Sequence, residues 1–141
     1  MRPYLLDTNV LLALAWAEHV SHEDVQGWFG RKRAAGFFTC PLTEIGFIRI
    51  SSNPAFTTRA VSPSAALGYL RAITEMPEHG FWADSISFHE AAGKALLSGH
   101  RQVTDLYLLA LAKAHGGMLA TLDKGAVDMG RRFGYPAEII D

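Results

Sequence analysis

The chain has 141 residues, of which 49% are hydrophobic and 19% charged. That composition excludes a disordered, collagenous or charge-tail protein, and the length suits one compact domain spanning residues 1–141. Thirteen Lys and Arg against 14 Asp and Glu leave a formal charge of -1, which excludes capture of nucleic acid or anionic membrane by the whole surface but not by a local basic patch.

Tyr4-Leu5-Leu6 is a short apolar run that ends on Asp7, and Thr8 to Glu18 then carries a helical pattern. Ser21 to Ala35 is a second expected helix, with Ser21 as its cap, Glu23 and Asp24 in its first turn and Gly36 closing it. Phe37-Phe38-Thr39 is a second strand. Pro41 suits the first position of a third helix that runs to about Ser52, where Asn53-Pro54 stops it. Ser62-Pro63 opens a fourth helix, Met76-Pro77 ends it, and Gly80 to Ala83 is a weak third strand. Ser87 to Leu97 is expected as a helix closed by Ser98-Gly99. Thr104 is expected to cap a strongly apolar helix from Asp105 to His115, with Gly116-Gly117 terminating it. Met118 to Leu122 is a strand ending at Asp123, Gly125 to Arg132 a short helix, and Glu138 to Ile140 the last strand. Alternation of this kind predicts an α/β fold, a three-layer α/β/α sandwich around a central, mainly parallel sheet.

Cys40 is the one cysteine and cannot form an internal disulfide, so a reducing compartment is the default. Arg2, the apolar stretch Val10 to Ala17 and Ala15-Trp16-Ala17 have some features of a secretory signal. Asp7 and Asn9 interrupt that pattern, and cleavage would remove the first strand. No stretch reaches the ~18 apolar residues of a membrane span. A soluble, cytoplasmic protein is expected.

Four carboxylates sit where a parallel sheet builds a site. Asp7 and Asp123 follow strands, and ligands of open parallel sheets bind beyond the carboxyl ends of the strands. Each also has a plain structural reading: Asp7 as the cap of the helix that follows, Asp123 as the turn residue of Asp123-Lys124-Gly125. Glu44 lies near the start of the third helix with Phe47 and Ile48 on its face, where a carboxylate needs a cation or a partner such as Arg49 or Arg71. Asp105 opens the apolar helix, either as a site acid or as a helix-dipole acid beside Thr104. All four are expected at the same end of the sheet. Four negative charges in one crevice cannot all stay ionised without cations, and an all-oxygen donor set selects Mg²⁺ or Mn²⁺ over zinc. Hard cations held by clustered carboxylates are apparatus for phosphodiester hydrolysis.

The same segments resemble the motifs of PIN-domain ribonucleases. Leu5-Leu6-Asp7-Thr8-Asn9-Val10-Leu11 is similar to the opening motif, and Thr43-Glu44-Ile45-Gly46-Phe47-Ile48-Arg49 to the second acidic motif. The run from His100 to Ala110, with Thr104-Asp105-Leu106, resembles the third, and Leu119-Ala120-Thr121-Leu122-Asp123-Lys124-Gly125 the fourth. The four occur in order over nearly the whole chain, and they resemble in particular the VapC-type toxins of bacterial toxin–antitoxin pairs. The resemblance implies a Mg²⁺- or Mn²⁺-dependent endoribonuclease that hydrolyses structured RNA, transfer or ribosomal, by activated water and without a covalent intermediate. It implies Asp7, Glu44, Asp105 and Asp123 as the catalytic, metal-binding acids, Glu44 serving either as ligand or as proton acceptor. Thr121 matches the family's hydroxyl residue two places before the last acid and, with Asn9, is expected to support the acids. A cognate antitoxin and a homodimer are further implications.

His89-Glu90-Ala91-Ala92-Gly93 starts like a zinc-protease motif, but Gly93 stands where the second ligand is needed. His19, His22, Glu23 and Asp24 read as a solvated loop and helix start rather than a metal site. Arg31-Lys32-Arg33 and Arg131-Arg132 read as solvated helix faces. With four acids held at a site, the remaining ten face 13 cations, a balance compatible with an RNA backbone. His100, Arg101 and Lys124 lie beside acids and are candidates for substrate phosphate, the alternative being ordinary surface charge. Trp16, Trp28 and Phe29, on the first two helices, are candidates for a groove that takes an amphipathic antitoxin helix, the alternative being core positions. Two rival functions remain: an aspartyl phosphatase, which wants an acid where Asn9 stands, and a non-catalytic RNA- or protein-binding domain on the same fold.

Overall fold

The computed structural model describes residues 1–95 and 97–141. Five parallel strands form one sheet: β1 (Tyr4–Leu6), β2 (Phe37–Thr39), β3 (His79–Phe81), β4 (Met118–Thr121) and β5 (Ala137–Ile139), in the order β3-β2-β1-β4-β5. β1 is central, with Tyr4 opposite Phe37 on one side and Met118 on the other. Its successive residues feed opposite cores. Tyr4 and Leu6 join Phe37 and Ala120 in one, and Leu5 joins Leu119 in the other. A strand buried on both faces is apolar throughout rather than alternating, which is why three consecutive apolar residues suffice to mark it.

Among the described residues α1 (Thr8–Ala15), α2 (His22–Lys32), α3 (Pro41–Ser51) and α4 (Pro63–Thr74) pack on the first face. The helices α5 (Phe88–Ala92), α6 (Gln102–Ala114) and α7 (Lys124–Phe133) cover the second. The three-layer α/β/α architecture expected from the sequence is present. α6 is apolar all round because it lies against β1 and β4 and between α5 and α7; every residue from Leu106 to Ala112 is buried.

Of the boundaries that differ from expectation, four have a local reason. α1 ends at Ala15 rather than Glu18, because Trp16 turns extended and its indole N–H donates to Ser51 Oγ at 3.0 Å. Ser21 stands at the cap of α2 but its hydroxyl makes no capping bond, and the helix tightens into a 3-10 turn, Arg33–Ala35, before Gly36 at φ +93°. Thr104 does not cap α6, which starts two residues earlier at Gln102 with Arg101 at the cap position. α5 stops early because Gly93 swings to φ +53°; of the longer helix expected there, Leu96 lies outside the described residues.

Two features position the site. The chain steps outward from β1 to β2 to β3 and then returns to β4 on the other side of β1. The reversal leaves a crevice at the carboxyl ends of β1 and β4, which is where Asp7 and Asp123 stand. In addition, Gly46 lets α3 press against the start of α1, since a Cβ there would come within 2.9 Å of Thr8 Oγ1. Gly46→Ala is therefore expected to cost about 1–3 kcal/mol by overpacking. Urea unfolding checks this, and Thr8→Ala in the same chain should recover most of the loss.

Candidate active site

Asp7 leaves β1 directly into the first turn of α1. Its Oδ1 accepts the Thr8 N–H at 2.7 Å, so it is the cap of α1. Its Oδ2 accepts the Thr121 hydroxyl at 2.8 Å. Thr121 closes β4 and is fully buried, and its oxygen in turn accepts the backbone N–H of Asp123 at 3.1 Å. One hydroxyl thus fixes both strand-end acids. Asp123 caps α7, with Oδ1 accepting the Gly125 N–H at 2.8 Å. The cap and turn readings of Asp7 and Asp123 both hold, and they orient the acids rather than compete with a chemical role. Asp105 lies in the first turn of α6, half-buried, and among the described residues no hydrogen bond reaches its carboxylate.

The three charges act on one another. Burial first, and then the charges of Asp7 and Asp123, together push the Asp105 carboxyl up from its usual 3.8 to about 6. Burial also raises Asp7; the hydrogen bonds from Thr121 and Thr8 oppose this, and Asp123 adds to it. Two carboxyls raised in this way mark a place that holds more negative charge than it can stabilise alone.

Glu44 is placed differently. It sits in the first turn of α3, and its Oε2 accepts the Thr39 hydroxyl at 2.6 Å. The same Thr39 oxygen lies 2.8 Å from His79 Nε2. A carboxylate only accepts, so the Thr39 proton goes to Glu44 and the imidazole Nε2–H donates to Thr39. The partner of Glu44 is therefore neither Arg49 nor Arg71. The charges of Asp7 and Asp123 act on Asp105, and Glu44 is held by Thr39, which is bonded in turn to His79.

Among the described residues, no three acidic, imidazole or thiol side chains are grouped closely enough to hold a metal ion by themselves. The donor set still fits a hard divalent cation. It is all oxygen, it is under mutual repulsion, and one carboxylate, Asp105, is unspent on hydrogen bonds. Mg²⁺ keeps several waters and asks for only one or two carboxylates, so a complete cage is not required.

Asn9 and Lys124, with Asp123 and His19, line a cavity of about 440 Å³ beside the acids. His100 and Arg101 are exposed in the turn ahead of α6 and line none of it. Trp28 and Phe29, expected as docking groups, are core residues at 5% and 4% exposure. The indole N–H of Trp28 is spent on Glu138 at 2.6 Å, and Phe29 packs edge-on against Phe37. Trp16 lines a surface cavity and is half-buried, whereas Phe29 borders another cavity but is itself buried. Sequence reasoning missed Thr39 and His79, and read His19 as part of a solvated loop. Thr39 had a signal, being a hydroxyl at the end of an apolar strand; His79 had none.

Thr121→Val tests the hub. Losing the hydroxyl leaves a buried Asp7 oxygen without its donor, which costs about 1–3 kcal/mol of stability. Loss of such an orienting partner also lowers site function about 10–100-fold. Thr121→Ser should restore both, as read by thermal melting and RNA cleavage.

No helix among the described residues is long and apolar enough to cross a membrane. The PIN domain family profile matches residues 4–131. Ribonuclease VapC39 of Mycobacterium tuberculosis is 41% identical over 126 residues, covering 88% of this chain and 91% of that protein. Ribonuclease VapC29 of the same organism is 44% identical over 124 residues, 86% of each chain. The crystal structure of VapBC2 from Rickettsia felis bound to a DNA fragment from their promoter contains a chain of the same fold, with a TM-score of 0.69 at 13% identity over 99% of both chains. A parallel sheet whose switch point carries Asp7, Asp123 and, on the adjoining helix, Asp105 thus agrees with a profile match over most of the sequence: the chain belongs to the PIN-domain family, among its VapC ribonucleases.

Proposed function

We propose that this chain is a Mg²⁺- or Mn²⁺-dependent endoribonuclease, the toxin of a toxin–antitoxin pair, and that it cuts structured RNA, transfer or ribosomal, in the cytoplasm. The observation that carries the reading is that Asp7 and Asp105 stand beside Asp123 at the switch point of the sheet, each raised by burial and then by a neighbouring acid's charge. Asp7, Asp105 and Asp123 are the residues that would hold the cation. When bound, it supplies positive charge that acidifies water and offsets the charge developing on the phosphoryl oxygens. Thr121 keeps one Asp7 oxygen fixed so that the carboxylate does not rotate as the charge develops. Glu44 is the fourth acid, oriented by Thr39 and suited to accept a proton from the attacking water. Lys124 lies beside Asp123 at the cavity wall and offers a cation to the substrate backbone.

The partner this reading requires is a small cognate antitoxin. An acidic crevice is best blocked by a cationic side chain, so an Arg or Lys of the antitoxin is expected to pair with Asp7 or Asp105. Trp16 is the retained candidate for its docking surface, and a homodimer is the expected state of the toxin.

Incubation of the purified chain with transfer and ribosomal RNA tests the reading. Cleavage should require Mg²⁺ or Mn²⁺, stop in EDTA, and leave 5′-phosphate and 3′-hydroxyl ends. Undiminished cleavage in EDTA, or 2′,3′-cyclic phosphate ends from attack by the RNA's own hydroxyl, would overturn it.

A further inference from the structure

The cavity that Asp123 lines shares two wall residues, Asn9 and His19, with a second one of about 390 Å³. The second cavity is walled by Trp16, Phe56 and Ile50, with Arg59 at its edge. Phe56 is 70% exposed, an unusual place for a large apolar ring. Its segment is braced from within, because Asn53 Oδ1 accepts the Ala55 N–H at 2.9 Å and Asn53 O accepts the Phe56 N–H at 3.0 Å. Trp16 is held by its bond to Ser51.

We propose that this second cavity is a nucleobase subsite, which seats a base of the RNA strand adjacent to the phosphodiester at the acids. The assignment rests on the ribonuclease reading and deepens it. A cavity of this volume with aromatic walls and a few polar groups is what a flat heteroaromatic ring needs. The shared walls Asn9 and His19 select this cavity over another of the same volume near Phe29, Tyr69 and Met76, which shares no wall residue with the cavity that Asp123 lines. A base held there would be detached from the site, whereas a base beside Trp16 and Phe56 reaches the acids past Asn9 and His19. Charge agrees as well. Among the described residues the Arg59 guanidinium is engaged only by Glu18, at 3.2 Å with both side chains exposed, and such a pair is worth little. A neighbouring phosphate can take the guanidinium over. His19 Nδ1 accepts the Ser21 N–H at 3.0 Å, which leaves Nε2 as the proton-bearing nitrogen of the neutral ring and a donor for a sugar or phosphate oxygen.

The test is a titration of the ¹⁵N-labelled full chain with the four nucleoside 5′-monophosphates and, separately, ribose 5-phosphate. The Trp16 indole N–H resonance is the reporter, with RNA cleavage assayed in parallel. One or more nucleotides should move that resonance while ribose 5-phosphate at the same concentration leaves it in place. Phe56→Ala should weaken the nucleotide response about fivefold or more, the scale of one lost stacking contact, and Phe56→Tyr should keep it. Because Phe56 is exposed, its replacement should leave the melting temperature unchanged. If RNA is cut but no nucleotide moves Trp16, or ribose 5-phosphate moves it equally, the base subsite falls and the nuclease reading stands. If nucleotides move Trp16 but no RNA is cut, the subsite stands and the nuclease reading falls. A Trp16 resonance that responds to the antitoxin but to no nucleotide overturns the subsite and gives the cavity to the protein partner.

Discussion

Asp7→Asn is expected to abolish RNA cleavage while leaving a folded protein. Asparagine keeps an oxygen for the Thr8 N–H, so the cap of α1 survives. Its amide can donate to Thr121 Oγ1, which reverses that bond and leaves the Thr121 hydroxyl proton without its carboxylate. That loss is offset by removal of a buried charge that Asp123 opposes. Melting temperature should therefore change little. Cleavage depends on charge that an amide lacks. Lewis-acid stabilisation of the transition state is worth several kcal/mol, so the rate should fall by about a thousandfold or more. Single-turnover cleavage with matched circular dichroism checks both halves. A folded Asp7→Asn chain that cuts RNA within tenfold of the parent rate would reduce Asp7 to a helix cap.

The legible and illegible parts of this molecule divide along a physical line. β1, β2 and α3 were readable to within a residue because their signals are local: an apolar run between breakers, and Pro41 where a first helical turn needs no N–H. Asp7 and Asp123 were readable as strand-end carboxylates because the ends of strands in a parallel sheet are a defined place. The start of α6 was not, since Thr104 has the chemistry of a cap but the chain reaches helical geometry at Gln102. Trp28 shows a different limit. Its size suited a docking surface, and only the fold shows that its N–H is committed to Glu138, which is 110 residues away and also accepts Tyr4 OH at 3.0 Å. The Thr39–His79 relay that holds Glu44 is long-range in the same sense, because it joins two strands and a helix that no spacing rule relates. Long-range hydrogen bonds decide which face of a residue is spent, and a sequence read locally does not carry that information.

Replacing Asp105 with Asn should stabilise the cation-free protein, and the gain should depend on pH in a defined direction. Asp105 holds its proton up to about 6 in the folded chain and only to about 3.8 in an exposed one. Between those values the folded state binds the extra proton, so the parent loses stability as pH rises through that window and carries the full penalty above it. His19 and His79, both depressed by burial, contribute with the opposite sign as pH falls through the ordinary histidine range. The parent's own pH profile therefore mixes terms, and the difference between variant and parent isolates Asp105. In EDTA at pH 7.5 that difference should favour Asp105→Asn by about 1 kcal/mol, or roughly 3–5 °C, because a half-exposed group is partly screened by water. It should shrink as pH falls through 6 and vanish near 4. Adding Mg²⁺ should reverse the ranking, since a cation bound only by the folded state stabilises the parent in proportion to its occupancy and the variant less. A variant that melts below the parent in EDTA at pH 7.5, and stays below it at every pH, would mean that Asp105 serves the first turn of α6 and not the acidic site.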